Sequence, residues 1–421
     1  MPTVTCLHPT KVSHYIVITM QPLTSLPREI LEDILSNLDH KTLSRCLSVC
    51  WHLKTTINSS SELTYIIELA QDGMIDNPSM QMSHAERLLR LRDRRKAWNS
   101  LDWRASSVVP IKGLCHAYEL VNGVFAKGIG GRDFTVAWLP SVDAKGHRLH
   151  RDDLKIRLRD FAIDPGQDLI IFLEEDDGPF INNRSVTLHV RSIMTHEAHP
   201  KARYPVLQFN GPPHEVFGAF IRNLFLQVAD DIVAVLLSTG SPRLLLWNWR
   251  EGFLISDSAL VGHGLPTGAL DFSFISPRAY ILMCPEGDGS IVIEAFKSEP
   301  GFRPLHVATL FLPELQEDAT IESLANHTSP FETPSRDEPF STSPSSRLHV
   351  MSIQYDAPDA TSHTHMRLFV HNRTFMKFVT SYFSKDFPEP EYALWIQWGP
   401  RATRMDKSFH PYTWLRWVTF V

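Results

Sequence analysis

Residues 23–57 read LTSLPREILEDILSNLDHKTLSRCLSVCWHLKTTI, and their apolar side chains recur at the spacing of three short helices. Ser25 is the expected N-cap of the first helix, and Pro27 falls in its first turn, where a proline's missing N–H removes no hydrogen bond. Asp39 is the expected N-cap of the second helix. The apolar positions of the three helices are Leu26, Ile30, Ile34, Leu35, Leu38, Leu43, Cys46, Leu47, Val49, Cys50, Leu53 and Ile57.

These three helices carry more apolar side chains than they can bury among themselves. A unit of roughly 35 residues lies below the usual size for independent folding. Burial of one large apolar side chain contributes about 1.5–3 kcal/mol. Burial of about six of them can therefore exceed an association cost on the order of 4–15 kcal/mol. The pattern predicts that part of the apolar stripe contacts another surface, and the alternative is a helical hairpin packed on its own domain.

The order of residues in this stretch resembles the F-box motif. The matching positions are Leu26-Pro27, Glu29-Ile30, Ile34-Leu35, Leu38-Asp39, Leu43 and Val49-Cys50. Many F-boxes carry Trp where Leu53 stands, whereas here Trp51 lies two residues earlier. The resemblance implies that the helices dock on the small adaptor subunit of a cullin-type ubiquitin ligase, the SCF complex. The implied adaptor surface consists of Leu26, Pro27, Ile30, Ile34, Leu35, Leu38, Leu43, Val49 and Cys50.

The composition of the 421-residue chain is typical of a soluble globular protein, with 43% hydrophobic and 21% charged residues. A formal net charge of −6 favours neither nucleic acid nor a membrane as a partner. The five cysteines are few and odd in number, which is typical of a reducing compartment rather than of a disulfide framework. No apolar run approaches the ~20 residues that span a bilayer, and no convincing signal peptide is present. We expect a cytoplasmic or nuclear protein.

The expected fold class is α+β multidomain. The expected parts are a flexible lead-in at 1–22, the F-box at 23–60, a helical spacer at 61–104, and a mainly antiparallel β domain at 105–421 with a disordered insertion at 328–346. The clearest helix of the spacer is Ser83–Trp98, where Ser83 and Glu86 form a capping-box pattern. Its many arginines favour a solvated helix between domains over a nucleic-acid contact, because no known binding module accompanies them.

Short apolar runs separated by turn residues recur from Leu114 onward, with a period of about 45–50 residues. They form five units, which predicts a degenerate β-propeller that could be incomplete. The alternative is a β-sandwich. In the third unit, Trp247 or Trp249 is expected to fill the wide outer gap between blades. Further strands are expected at Phe375–Phe383 and Trp395–Trp398.

The final run, Trp414–Val421, either completes a blade or marks a truncated domain; the sequence leaves both readings open. The insertion at 328–346 is rich in Ser, Thr and Pro and poor in apolar residues, so burial cannot offset its ordering entropy. Ser329-Pro330, Thr333-Pro334 and Ser343-Pro344 within it fit proline-directed phosphorylation, although such dipeptides are common in linkers.

No constellation in the sequence points to catalysis or to a bound metal. His196-Glu197-Ala198-His199 resembles a zinc-protease motif but is one residue too short, and no third ligand follows in pattern. The acidic run Glu174–Asp177 is interpreted as a solvated loop. We expect no catalytic residue, no metal and no cofactor.

The resemblance implies a non-catalytic subunit that holds a target protein near a ubiquitin ligase. Its partners would be the SCF adaptor, through it a cullin, and a target protein of unknown identity, with no nucleic acid and no membrane. Two alternatives stay open: an interaction scaffold that acts outside a ligase, and a propeller enzyme or lectin. A deep channel lined by converging carboxylates and histidines would support the second.

Overall fold

The computed structural model describes residues 23–101, 117–129, 131–140, 145–175, 185–211, 223–238, 242–260, 264–266, 268–316, 318–331, 333, 338–356 and 364–408. The chain divides into two compact units: a helical unit, Met1–Asp72 with Met82–Asp102, and a β unit, Gly73–Gln81 with Trp103–Val421. The predicted lead-in at 1–22 and the run Trp414–Val421 lie outside the described residues. In the described part of the chain, no helix is both long and apolar enough to cross a membrane.

The helical unit contains the three short helices that the apolar spacing predicts, followed by two more. The helices are α1 (Arg28–Ser36), α2 (His40–Cys46), α3 (Trp51–Ser59), α4 (Ser61–Gln71) and α5 (His84–Ser100). Asp39 caps α2 as predicted, because its side chain accepts a hydrogen bond from the Thr42 N–H at 2.7 Å. The N-cap of α1 is Pro27 and not Ser25, since residues Leu23–Ser25 form a separate 3-10 turn.

The core of the helical unit extends beyond the three short helices. Its buried residues are Leu31, Leu35, Leu43, Leu53, Ile57, Leu63 and Ile67. Two of them, Leu63 and Ile67, come from α4. The predicted boundary at residue 60 therefore falls inside one continuous core, because α1–α3 are too few to enclose it alone.

The β unit begins with a short strand, β1 (Met74–Asp76), and continues with antiparallel sheets of consecutive strands. Blade I contains β2 (Ala117–Val121), β3 (Val124–Gly128), β4 (Phe134–Trp138) and β5 (His147–Arg151). Blade II contains β6 (Leu158–Asp164), β7 (Leu169–Glu174), β8 (Ser185–Ser192) and β9 (Val206–Asn210). Blade III contains β10 (Asn223–Ala229), β11 (Ile232–Ser238), β12 (Arg243–Asn248) and β13 (Phe253–Asp257). Blade IV begins with β14 (Asp271–Ser276), β15 (Ala279–Cys284), β16 (Ser290–Ala295) and β17 (Leu305–Phe311).

The end of the described chain is less regular. Its elements are β18 (Thr320–His327), β19 (Phe340–Thr342), β20 (Leu348–Asp356), β21 (Thr364–His371), α6 (Asn372–Phe383), β22 (Glu391–Ala393), α7 (Trp395–Ala402) and β23 (Thr403–Ser408). Blade V has the strand order β18-β20-β21-β23, and β22 joins blade IV as a fifth strand, parallel to β17. The predictions of strands at Phe375–Phe383 and Trp395–Trp398 are wrong: both segments are helices. The periodicity of α6 is helical, since Phe375, Val379 and Tyr382 are buried along one face.

The five sheets form a five-bladed β-propeller, which confirms the predicted propeller and excludes the β-sandwich. Neighbouring blades pack face to face. Trp247 and Trp249 are both buried in the apolar cluster between blades II and III, as predicted for at least one of them. The first two strands of blade I, β2 and β3, form a hairpin. Asn122-Gly123 turns it, with φ of 46° and 70°, the left-handed conformation that a two-residue turn requires.

Part of the predicted disordered insertion has defined structure. Strand β19 pairs with β1, and Pro344–Ser346 forms a 3-10 turn. The Asn77 side-chain amide also donates to the Glu338 carbonyl oxygen at 2.7 Å. Backbone pairing and hydrogen bonds to distant residues replace the apolar burial that the segment lacks. Residues 332 and 334–337 lie outside the described residues.

Candidate functional site

Helix α1 has one buried face and one exposed face. Leu31 and Leu35 are sealed in the helical core. Pro27, Ile30 and Ile34, spaced by three and four residues, share a different, exposed side of the helix. Ile30 is 50% exposed and Ile34 is 39% exposed. Exposed isoleucines on a short amphipathic helix form an apolar surface that is open to a partner.

The structure divides the nine predicted adaptor-contacting residues into three groups. Pro27, Ile30, Ile34 and Val49 are exposed. Leu26, Leu38 and Cys50 are partly buried. Leu35 and Leu43 are buried in the core of the unit itself, and an adaptor contact through these two residues stays a prediction from the sequence. The sequence could not separate them, because positions 30 and 34 and positions 31 and 35 have the same four-residue spacing.

Two exposed apolar residues were not included in the predicted surface. Trp51, the first residue of α3, is 78% exposed, and Leu23 in the 3-10 turn before α1 is 47% exposed. The sequence did contain a signal for Trp51. The positions three and four residues later, Lys54 and Thr55, share its helix face and are both polar.

The arginines of α5 are used within the helical unit. Arg92 and Arg95 both contact Glu68 of α4, at 2.6 and 2.9 Å, and Arg95 also contacts Asp72 at 2.8 Å. The hydrogen bond from Arg92 holds the pKa of Glu68 below its ordinary value. The capping box of Ser83 and Glu86 is present as predicted. This arrangement fits a structural role of the basic helix, because its charges are directed to carboxylates of α4.

A second candidate site lies at the centre of the propeller. The innermost strands of the five blades, β2, β6, β10, β14 and β18, line a cavity of about 180 Å³. Carboxylates at this cavity accept backbone N–H groups: Glu119 from Ile163 at 2.7 Å, and Asp271 from Asn326 at 2.7 Å. Each of these bonds joins two neighbouring blades, so the carboxylates hold the channel wall together.

His196 and His199, the pair that resembles a metal motif, lie in separate apolar surroundings. His196 packs against Phe134 and Phe172, and burial lowers its pKa to about 4. The ring Nε2 of His199 lies 3.0 Å from the Gln167 carbonyl oxygen, and the ring packs edge-on against Trp249. Over the described ranges, no three His, Cys, Asp or Glu side chains are grouped so that they could hold a metal ion.

The predicted acidic loop is described only in part. Glu174 lies 2.8 Å from His189 of the neighbouring strand, between Glu174 Oε2 and His189 Nε2. Residues 176–184 lie outside the described residues.

Comparison with known proteins identifies the helical unit more firmly than the propeller. Residues 23–65 match the F-box domain. No curated protein matches the chain. Among solved structures, the computationally designed Ika8 protein is similar at 11% identity and a TM-score of 0.31, covering 61% of this chain and 58% of its own. Hsv2p of Kluyveromyces lactis is similar at 10% identity and a TM-score of 0.29, covering 45% and 59%. A putative 6-phosphogluconolactonase of Bacteroides fragilis is similar at 8% identity and a TM-score of 0.28, covering 59% and 82%.

These structural similarities are too weak to bear on function, whereas the match at residues 23–65 coincides with α1–α3 and the start of α4. One chain thus combines the exposed side of α1 with the five antiparallel sheets. The chain therefore carries an F-box domain at residues 23–65, with a five-bladed β-propeller C-terminal to it.

Proposed function

We propose that this chain is the substrate-receptor subunit of an SCF-type cullin ubiquitin ligase. F-box domains bind the SCF adaptor and, through it, a cullin. The F-box would bind the adaptor, and the propeller would bind a target protein. The chain performs no chemistry in this role. It holds two partners on one body, which raises their effective concentration.

The observation that carries the proposal is the exposed apolar face of the F-box. Leu23, Ile30, Ile34, Val49 and Trp51 are between 39% and 78% exposed, although the core beneath them is complete. Covering these exposed fractions contributes about 4–9 kcal/mol in total, at about 1.5–3 kcal/mol per fully buried side chain. That is comparable with an association cost on the order of 4–15 kcal/mol. Adaptor binding should therefore depend on nearly every one of these side chains.

The test replaces exposed residues only, so that the fold is preserved. The double variant Ile30→Asp with Ile34→Asp places two charges on the exposed side of α1. Leu89→Asp is the matched control, since Leu89 is a 64% exposed apolar residue on α5, outside the F-box match. We expect the double variant of the full chain to lose adaptor binding by at least a hundredfold in Kd, and Leu89→Asp to bind normally. Wild-type affinity in the double variant would refute the proposal.

Two alternatives lead to different outcomes. A scaffold that acts outside a ligase would bind the adaptor but would recruit no cullin, so immunoprecipitation of the full chain followed by detection of cullin separates the two. An enzyme or lectin would need free polar groups in the channel. Glu119 and Asp271 each accept a backbone N–H group there, which gives these two carboxylates a structural role in the channel wall.

The target can be sought with the same variants. Proximity labelling by the intact chain and by the Ile30→Asp with Ile34→Asp variant should mark the same targets, because the propeller is unchanged. The targets should be degraded more slowly only in cells in which the variant replaces the intact chain, because the variant does not bind the adaptor. Targets that are labelled by the intact chain alone would indicate contact through the ligase and not through the propeller.

A further inference from the structure

A segment that follows β18 crosses the central channel. It consists of residues 328–331 and Thr333, and we call it the strap. It leaves the inner edge of blade V, and residues 328–331 line the channel cavity. Phe331 packs against the apolar cluster between blades III and IV. Thr333 then reaches blade II, so the strap contacts blades on opposite sides of the propeller axis.

Arg347, which lies just before β20, holds the first part of the strap. Its side chain is 6% exposed. It donates to the Ser329 carbonyl oxygen from Nε at 3.1 Å and also from Nη2, and to the Phe274 carbonyl oxygen from Nη1 at 2.9 Å. The guanidinium carbon lies 4.0 Å from the centre of the Phe331 ring. A buried guanidinium that is bonded on three sides makes this end of the strap a firm anchor.

Among the described residues, Thr333 holds the other end of the strap. The Thr333 hydroxyl donates to Asp164 Oδ2 at 2.6 Å, and its N–H lies 3.4 Å from Oδ1. Asp164 is 2% exposed and also accepts from the Gln167 amide at 2.8 Å. The Thr333 backbone rests directly on Gly166, where an added Cβ would lie 2.0 Å from the Thr333 carbonyl oxygen. Contact at Thr333 thus depends on a short hydrogen bond from its hydroxyl, a longer one from its N–H, and the absence of a side chain at Gly166.

We propose that Thr333 is a phosphorylation site, and that its modification releases the strap from blade II and opens the channel. Pro334 follows Thr333 in the sequence, which fits a proline-directed kinase. In the reaction, the γ-phosphoryl group of a nucleoside triphosphate forms a bond to Thr333 Oγ1. The bond to the β-phosphate breaks, the nucleoside diphosphate leaves, and the hydroxyl proton passes to the kinase base. The kinase acts on the fraction of molecules in which the strap has already detached.

The modified residue no longer fits its site for two reasons. Phosphorylated Oγ1 has no proton to donate to Asp164, and the phosphoryl group adds about 1.5–2 negative charges beside a buried carboxylate. Arg250 is the cation closest to Thr333 in the hydrogen-bond network that contains Asp164 and Gln167. It already bonds Gln167 Oε1 and Asp230 Oδ1 through Nη2. Arg250 Nε is buried and, among the described residues, has no hydrogen-bond partner. The Thr333 hydroxyl, however, already lies 2.6 Å from the buried Asp164 Oδ2, so the site has no space for a phosphoryl group, while Arg347 keeps the strap tethered to blade V.

Opening the channel would uncover the inner faces of all five blades. If the propeller is the target-binding domain, as the proposed function holds, phosphorylation would control target access. Release of the strap is independent of that role, and it can be measured without adaptor or target.

The first experiment treats the full-length chain with a proline-directed kinase and ATP, and maps phosphate by mass spectrometry. Hydrogen–deuterium exchange then reports on the strap amides. We expect phosphate on Thr333 and at least tenfold faster exchange at residues 328–331 and 333, with the amides of β11 and β15 unchanged. Thr333→Val, treated identically, controls for phosphate at other sites and should show no kinase-dependent change. A folded chain that takes no phosphate on Thr333, or a phosphorylated one with unchanged strap exchange, would overturn the proposal.

The second experiment releases the strap without charge. Gly166→Ala introduces a methyl group where the Thr333 backbone lies, and it should raise strap exchange in the unmodified chain. Gly264→Ala is the matched control, since an added Cβ there meets nothing within 4 Å. Equal strap exchange in the two variants would show that the strap does not rest on blade II and would overturn the proposal. If Gly166→Ala captures more target protein than the wild-type chain, this would further support the idea that the strap controls access to the channel. Loss of adaptor binding in the same variant would bear only on the proposed function.

Discussion

Replacing Leu35 by Ala tests the division of α1 into a buried and an exposed face. Leu35 is 1% exposed and belongs to the core that α1–α4 share, whereas its neighbour Ile34 is 39% exposed. Both residues were predicted from the sequence to contact the adaptor. The structure instead predicts that one substitution destabilises the unit and the other weakens a binding surface.

The expected size of the effect follows from burial. A Leu→Ala substitution at a sealed core position costs about 2–5 kcal/mol, with the larger values where the surroundings cannot collapse. In a domain of about 60–100 residues, each kcal/mol shifts the unfolding midpoint by about 4–8 °C. We therefore expect Leu35→Ala to lower the midpoint of the helical unit by about 8–40 °C. Ile34→Ala should cost about 1–2 kcal/mol, since only the covered part of this 39% exposed side chain contributes and Ala favours the helix.

The assay must report on the helical unit alone, because unfolding of a two-unit chain is not a single two-state transition. Hydrogen–deuterium exchange of the α1–α4 amides, followed against temperature in the full-length chain, meets this need. The same samples can be tested for adaptor binding at a temperature at which both variants are folded. There, Ile34→Ala should bind more weakly than Leu35→Ala.

Equal midpoints for the two variants would refute the assignment of the faces. So would a Leu35→Ala chain with wild-type stability and lost adaptor binding, because Leu35 would then face the partner.

Two further predictions concern the propeller. The ion pair of Arg243 and Asp257 is buried, with side chains 6% and 4% exposed and Nε 2.7 Å from Oδ1. Asp257→Asn should therefore destabilise the chain by about 3–5 kcal/mol in urea unfolding, since it removes the carboxylate that balances the charge of a buried guanidinium. The double variant Arg243→Met with Asp257→Leu should recover most of that loss. Burial lowers the pKa of His349 to about 3 and that of His196 to about 4, whereas an unfolded imidazole binds its proton near pH 6.5. The unfolded state thus takes up protons first as the pH falls below about 6.5, and each histidine should lower the free energy of unfolding by about 2 kcal/mol at pH 5. Urea midpoints at pH 7 and pH 5 check this, with a smaller drop in His349→Gln; equal midpoints would contradict it.

The local patterns of the chain were readable from its sequence because they depend on neighbouring residues. Asp39 and Ser83 cap their helices as predicted, since an N-cap is satisfied by N–H groups two or three residues away. The strands β10, β11 and β12 also follow their apolar runs closely.

The predictions failed where distant residues supply the partners. α7 is formed by the strand-like run rich in tryptophan, and its buried Trp398 donates from Nε1 to the Phe311 carbonyl oxygen, 87 residues earlier, at 2.9 Å. Similarly, the segment around β19 has too few apolar residues to order itself, and β1, more than 260 residues earlier, provides its pairing partner.

The candidate site shows the same division. The F-box at residues 23–65 is a short local sequence motif, so the sequence alone indicated it. Helix α4 decides which leucines of the F-box are buried, because its Leu63 and Ile67 complete the core on one side of α1. The contact between Thr333 and Asp164 had no signature in the chain at all.

The sequence by itself determined the kinds of element and their order: short helices with an apolar stripe, then repeated strands of propeller type. Tertiary structure decided which side of each helix is covered, which strands join which blade, and what crosses the channel. The physical reason is that helical periodicity and caps arise within a few residues, whereas burial depends on what the rest of the chain brings alongside.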